Sequence, residues 1–431
     1  MIETANAYDE SFDKTGRASA GEIICRREDY GGTIFHPLDA TFIQLDQEAF
    51  ACVNRVFGGK LAPQSGAEQA LIDEVVQTLP SIDLPFRWVN LPTPKVANLP
   101  GVLSSPILVD FQITERCGMG CPQCYASSVT KGRDVSWSDA ELAIAQMREA
   151  GVCQVALGGG EPVYYPRLAD LLYLIRDNGM VPNLTTTGVG MTDQQVKAMR
   201  QNCGAVAMSL EAVGERFSIR RKTGFENFRK VAERFLAADI PLVMQVTVSS
   251  QNIDDLESIV EYCLGVQPLY GVVFLAHKPA GRAEGYDKPL SALDYPNVHR
   301  KLLRAVEALR PHTRVGFDCC FTPGLVGLEQ SLGYEPSTIV EGCSATRSGL
   351  GLTSNLDVLP CTFLPGKNLG NLRSRTLLEI WQDSTSAGFR ANMESHSVED
   401  SRCRSCSSNR SCLGGCSAWS LVGCITKEHL L

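Results

Sequence analysis

The sequence predicts an α/β protein built in three parts. A small module of strands and helices spans 1–79, an open six-unit strand–helix repeat spans 107–310, and a cysteine-rich extension spans 311–431, with a proline-rich linker over 80–106. Three observations carry this. From Ile107 onward, apolar runs alternate with helical patterns, and such repetition means a parallel sheet with helices outside it. Three cysteines, Cys117, Cys121 and Cys124, stand in a loop rich in glycine and proline directly after the first of those runs. Seven more cysteines gather between Cys343 and Cys424.

The chain has 431 residues, a length that suits two or three domains. A net charge of −8 gives no electrostatic footprint for nucleic acid. No apolar run reaches membrane-spanning length, so no membrane partner is expected. The first twenty residues lack the basic end and apolar core of a signal peptide, which points to the cytoplasm. There the 17 cysteines stay reduced. Ten belong to the two motif groups. Cys25, Cys52, Cys153, Cys203, Cys263, Cys319 and Cys320 read as small core residues, although the adjacent pair Cys319–Cys320 stands apart from the others.

In chain order, Ile23–Arg27 reads as a strand, and Thr33–Phe35 and Thr41–Leu45 flank Pro37–Ala40 as a hairpin. Asp46 is placed to cap a helix over Gln47–Phe57 that stops at Gly58-Gly59. Ser65 with Glu68 forms a capping box for a helix over Ala67–Leu79. Prolines 80, 85, 92, 94, 100 and 106 mark a linker or strap, pinned by Phe86 and Trp88. The repeat then predicts strands at Ile107–Ile113, Cys153–Leu157, Met180–Thr186, Ala205–Leu210, Leu242–Val248 and Gly271–Leu275. The intervening helices are expected over Asp139–Ala150 (opened by Ser138 and Glu141), Arg167–Asn178, Asp193–Asn202 (opened by Thr192 and Gln195), Phe225–Ala238 and Ile253–Cys263.

Three thiolates in one tight loop are one ligand short of closing a four-iron cube, which leaves one iron for another ligand. The alternative, a zinc knuckle, needs a fourth ligand, and no histidine lies near. Gly158-Gly159-Gly160-Glu161-Pro162 follows the second strand; glycines there allow close approach of backbone, and Glu161 adds a negative charge. Ser209 and Glu211 point the same way at the end of the fourth strand. Arg221 offers a fork suited to a carboxylate, although Arg220 and Lys222 compete for that role. In the extension, Cys403-x2-Cys406-x5-Cys412-x3-Cys416 suits iron–sulfur clusters or zinc.

The CxxxCxxC triplet, followed by Tyr125 and preceded by an apolar strand, resembles the radical S-adenosylmethionine (SAM) enzymes. That resemblance implies a partial (β/α)6 barrel. The triad would hold a [4Fe–4S] cluster that binds and cleaves SAM. SAM would be held by Tyr125, by Gly159, Gly160 and Glu161 at its amino group, by Ser209 and Glu211 at the ribose, and by Arg221 at the carboxylate. The C-terminal array, with Leu359-Pro360-Cys361, Gly370-Asn371, Glu379-Ile380-Trp381 and Gly414-Gly415-Cys416, resembles the SPASM extension. This implies two auxiliary clusters and three [4Fe–4S] clusters in all. Cys343, Cys361 and Cys416 would bind the first, and Cys403, Cys406, Cys412 and Cys424 the second. Leu356 departs from the glycine usual in relatives. The first auxiliary cluster has three obvious ligands; its fourth site is either open or reached by Cys319 or Cys320. Gly281-Arg282-Ala283 is a turn common in peptide-modifying relatives, and no chemistry is assigned to it.

Residues 1–79 are similar to the PqqD-like winged-helix element that binds leader peptides. The family implies a radical SAM/SPASM enzyme that modifies a ribosomally made precursor peptide. Its catalytic acid or base is not legible, and its chemistry is a crosslink, oxidation, epimerisation or excision of a tyrosine-derived unit. A reducing partner such as flavodoxin or ferredoxin is implied, and a small accessory protein is compatible. The alternatives are a sulfatase-type formylglycine maturase and a non-catalytic iron–sulfur redox or scaffold subunit.

Overall fold

The computed structural model describes residues 3–4, 22–79, 84–92, 101–286, 290, 294–322, 342–399, 401–406 and 409–416. Cys424 and residues 80–83 and 93–100 of the proline-rich stretch lie outside them.

Among the described residues, the N-terminal module is a five-stranded sheet with two α-helices. Its elements are β1 (Glu3–Thr4), β2 (Ile23–Glu28), β3 (Gly31–His36), β4 (Thr41–Asp46), α1 (Gln47–Val53), α2 (Gly66–Thr78) and β5 (Phe86–Val89), in sheet order β1-β4-β3-β2-β5. Asp46 caps α1 by accepting from the Ala49 amide, and Ser65 caps α2 by accepting from the Glu68 amide. The expected single helix over Gln47–Phe57 instead changes after Val53 into a π-helical turn, Asn54–Gly58. Glu68 reaches back one residue further than a capping box does, to the Gln64 amide, and also pairs with Arg55 at 2.5 Å. The stretch expected to be a linker contributes β5, which lies parallel to β2. Phe86 stacks between Phe57 and Trp88, so the two aromatics complete this module's core.

The strand–helix repeat follows. It runs β6 (Leu108–Thr114), α3 (Trp137–Glu149), β7 (Gln154–Gly159), α4 (Leu168–Asp177), β8 (Val181–Thr185), α5 (Asp193–Asn202), β9 (Ala205–Ser209), α6 (Gly214–Arg220), α7 (Phe225–Ala237), β10 (Leu242–Val248), α8 (Leu256–Gly265) and β11 (Gly271–Ala276). These six strands are parallel neighbours in sequence order. Parallel strands covered on both faces read as near-continuous apolar runs, and the core is built from residues such as Phe111, Leu157, Leu184, Met208, Val246 and Phe274. Helix α3 is opened by Ser136, whose side chain accepts from the Asp139 amide; Ser138 lies one residue inside the helix. Thr192 and Gln195 open α5 as expected, with both capping-box bonds present.

The sheet continues past the expected six units. Helix α9 (Tyr295–Leu309) leads to β12 (Arg314–Phe317), which is parallel to β11 and lies beyond the expected boundary at 310. In the extension, β13 (Gly349–Leu352) adds parallel to the free edge of β6, and β14 (Asp357–Leu359) and β15 (Gly370–Asn371) follow it antiparallel. Helices α10 (Leu377–Gln382), α11 (Ser384–Glu399), α12 (Ser401–Arg404) and α13 (Asn409–Cys412) complete the described part. The extension therefore shares the barrel's sheet and its core. Trp381, fully buried, donates its indole N–H to the Leu103 carbonyl at 3.0 Å and so pins the strap that leads into β6.

The N-terminal module is seated on the repeat by buried charge. Arg26 and Glu28 pair at 2.6 Å. Arg26 also donates to the carbonyls of Pro106 and Gly151, and Glu28 accepts from the Ser104 amide at 2.7 Å. Because each charge is paired and further hydrogen-bonded, the desolvation cost of burying it is offset at this one docking geometry.

Candidate active site

The C-terminal ends of β6 to β11 surround one cavity, the position where parallel α/β sheets place ligands. Its wall includes Cys117, Cys121, Cys124 and Tyr125 from the loop after β6, and Gly159, Gly160 and Glu161 from the loop after β7. Ser209, Glu211 and Arg221 come from the region after β9, and His277 and Lys278 follow β11. Every residue expected to meet SAM thus lines a single space.

The glycine loop folds as it does because backbone presses on it from below. A Cβ at Gly159, where φ is +106°, or at Gly160 would collide with the carbonyls of Thr114 and Arg116. The Gly160 amide donates to the Thr114 carbonyl and the Glu161 amide to the Arg116 carbonyl at 2.8 Å. These glycines therefore let the β7 loop lie against the segment that opens the cysteine loop. Glu161 is buried, and burial pushes its carboxyl above the ordinary range, while donors from Thr186, Thr187 and Val163 act to hold it down. Thr187 donates from both its amide (2.8 Å) and its hydroxyl (2.6 Å), and Thr186 from its hydroxyl. The hydroxyls of Thr186 and Thr187, just after β8, thus clasp Glu161.

Glu211 and Arg221, expected to hold different parts of SAM, pair with each other through a two-pronged contact, with Arg221 Nε 2.8 Å from Glu211 Oε2. A guanidinium carries five N–H donors, so the pair leaves Arg221 with further donors. Gln123 is a cavity residue that the sequence reading passed over. Both atoms of its side-chain amide are buried in the wall without a partner among the described residues. Thiols, a guanidinium with donors to spare, a hydroxyl and an unpartnered amide make a donor set that fits an iron–sulfur cluster with SAM. Among the described residues, no group of His, Cys, Asp and Glu is arranged as the ligands of a single metal ion would be.

The Gly-Arg-Ala turn, to which no chemistry was assigned, grips the cysteine loop. The Arg282 amide donates to the Cys124 carbonyl at 3.0 Å, its Nε to the Cys121 carbonyl at 3.1 Å, and its Nη1 to the Ser128 carbonyl at 2.7 Å. Gly281 has φ +58°, and a Cβ there would strike the Tyr125 carbonyl. The extension also reaches this space. Phe363, two residues past Cys361, lines the cavity; it packs on Tyr125 with centroids 4.3 Å apart and lies under the Lys278 ammonium at 4.7 Å. Cys361 of the extension thus stands two residues from the cavity wall. Lys278 is buried and paired with Asp318; burial works against its charge, and the carboxylate more than offsets this.

Cys343, Cys361 and Cys416 lie in one neighbourhood, where Cys361 and Cys343 each feel the charge of Cys416. Leu413, Gly414 and Gly415 take positive φ in succession, a turn that separates Cys412 from Cys416. Leu356, at the position where relatives carry glycine, has φ +63°, and its side chain is fully buried.

Residues 111–263 match the radical SAM superfamily, and residues 343–407 match the SPASM iron–sulfur cluster-binding domain. The PqqA peptide cyclase of Ruegeria pomeroyi is 27% identical over 74% of this chain and 84% of its own. The AdoMet-dependent heme synthase of Methanosarcina barkeri is 25% identical over 65% of this chain and 83% of its own. Streptococcus suis SuiB, solved bound to the precursor peptide SuiA, is 17% identical with a TM-score of 0.71, over 93% of this chain and 96% of SuiB. That span includes the N-terminal module. The chain thus carries a radical SAM domain followed by a SPASM iron–sulfur cluster-binding domain.

Proposed function

We propose that this enzyme modifies a ribosomally made precursor peptide. The observation that carries the reading is the shared cavity, where the cysteine loop, the glycine loop and Phe363 of the SPASM region face one another. Cys117, Cys121 and Cys124 would hold the first [4Fe–4S] cluster, with SAM against Gly159–Glu161, Ser209 and the Glu211–Arg221 pair. Bound there, the cluster and SAM supply a 5′-deoxyadenosyl radical able to abstract hydrogen from a peptide carbon. The chain's own residues orient SAM, keep water out through Phe363 and Tyr125, and keep the cysteine loop in place through Arg282. Cys343, Cys361 and Cys416 would ligate one auxiliary cluster, and Cys403, Cys406, Cys412 and Cys424 a second.

Residues 1–79 with β5 would act as the PqqD-like leader-peptide module. The outer edge of β4 accepts an antiparallel strand, as its pairing with Glu3–Thr4 demonstrates, and an extended leader can bind by the same addition. The likeness to SuiB across this module, and SuiB's own precursor peptide, favour a peptide over a small-molecule substrate. The action would take place in the cytoplasm, with a flavodoxin or ferredoxin as reductant. The test is anaerobic incubation with SAM, a reductant and the short peptide encoded beside the enzyme. A SAM-dependent change in peptide mass supports the reading. SAM cleavage with no change in any neighbouring encoded peptide, and modification of a small molecule instead, would refute it.

A further inference from the structure

The resemblance supplies three cysteines for the first auxiliary cluster, Cys343, Cys361 and Cys416, one short of a closed cube. The structure fills the gap from an unexpected segment. A short turn, Cys319–Phe321, follows β12, and Cys320 Sγ lies 3.3 Å from Cys416 Sγ. The Cys319 side chain meets those of Cys320 and Cys343, and its sulfur lies 3.9 Å from Ser344 Oγ. Cys361 is close enough to feel the charge of both Cys319 and Cys416. Cys319, Cys320, Cys343 and Cys416 thus meet from three separate segments, with Cys361 in the same neighbourhood. At 3.3 Å the Cys320 and Cys416 sulfurs are well beyond the ~2.05 Å of a disulfide bond, so both are thiols.

The turn is held by more than its own backbone. Asp318 Oδ1 accepts from the Phe321 amide and from the Ala276 amide, both at 3.1 Å, and its other oxygen takes the Lys278 ammonium. Asp318 thus ties the vicinal cysteines to the end of β11, and Lys278 on that tie lines the SAM cavity. An ordinary core needs neither a largely buried ion pair nor four thiols in contact. A ligand-bearing turn that must be held at a fixed place needs such second-layer support.

We infer that the Cys319–Cys320 turn completes the first auxiliary site. One of the two thiolates is its fourth protein ligand, and no iron of that cluster is left open to substrate. A cluster closed in this way would supply electron transfer and would not bind the peptide directly. This inference rests on the proposal that the SPASM region holds iron–sulfur clusters.

The test uses the full-length, anaerobically purified enzyme with SAM saturating, so that the first cluster's open iron is occupied. Iron per chain, the Mössbauer spectrum and the response of the EPR spectrum to cyanide are recorded. The proteins compared are the wild type, Cys319→Ser, Cys320→Ser and the double variant. The wild type is expected to show no cyanide-shifted auxiliary signal. The double variant is expected to lose iron from one auxiliary cluster or to gain a cyanide-shifted signal, with the SAM-dependent signal kept. A single variant that shows the same loss names the ligand; two silent singles with an affected double mean that either thiol serves. A cyanide-shifted auxiliary signal in the wild type overturns the inference even if the double variant fails to fold. So does a folded double variant with unchanged spectra. A wild type holding about four irons per chain, with zinc in place of the rest, defeats the underlying iron–sulfur reading instead.

Discussion

Arg282 shows how one side chain decides a site. Its three bonds hold the carbonyls of Cys121, Cys124 and Ser128, and they place a permanent cation beside residues proposed to ligate the first cluster. Charge and hydrogen bonding around a cluster set its reduction potential. Arg282→Gln should therefore move that cluster's midpoint potential to more negative values in an EPR-monitored titration. Arg282→Lys, which keeps the charge, should recover most of the shift; equal potentials in all three proteins would contradict the role. Glu211→Gln would leave the partly buried Arg221 without its counter-charge, at a cost of roughly 1–3 kcal/mol. A chemical denaturation curve should show this, with weaker SAM binding alongside. Leu356 offers a choice between two effects. Glycine there would relieve about 1–2 kcal/mol of left-handed backbone strain but remove a fully buried side chain worth about 2–5 kcal/mol. Leu356→Gly should thus destabilise the extension despite matching its relatives. The cysteine triad and Glu161 were legible in the sequence because their spacing is local. Arg282, Gln123 and Phe363 were not, since their meaning depends on what lies across the cavity from them.

Elements were legible where the signal was periodic and failed where it was tertiary. Strand β10 and helix α5 fall on their expected residues, because a dense apolar run and a full capping box leave little choice. Strand β5 was hidden in a proline-dense stretch: Phe86–Val89 becomes a strand only because β2 offers an edge beside it. Helix α9 carried its own signal in Val298, Leu302, Ala305 and Leu309, spaced along one buried face. The β5 result also changes what a truncation means. Removing residues 1–79 leaves Phe86 and Trp88 without the core they complete and takes Arg26 from its carbonyl partners. Such a protein should aggregate or melt several degrees lower, whereas one shortened to begin at residue 101 should stay soluble, cleave SAM without peptide and bind the precursor more weakly. Soluble, unaltered behaviour of the first truncation would contradict this docking. The two cluster regions should likewise separate unevenly. Cys406→Ala is expected to abolish modified peptide yet keep some 5′-deoxyadenosine formation. Cys361→Ala should lower both, because Phe363 two residues on forms part of the cavity wall.

At the scale of the whole molecule, the open barrel is completed by its neighbours. Strand β13 extends the sheet beyond β6, Phe363 fills the wall near Tyr125, and Arg282 joins the loop after β11 to the loop after β6. The chain is one mechanical unit around the cysteine loop, so the function of the whole rests on that loop. The direct measurement is 5′-deoxyadenosine formed from SAM under reducing, anaerobic conditions, by wild type and by Cys121→Ala, with circular dichroism as the folding control. The wild type should produce it, and the variant should lose one cluster and all cleavage, with or without peptide. A folded Cys121→Ala protein that still cleaves SAM would show that Cys117, Cys121 and Cys124 are not the catalytic site.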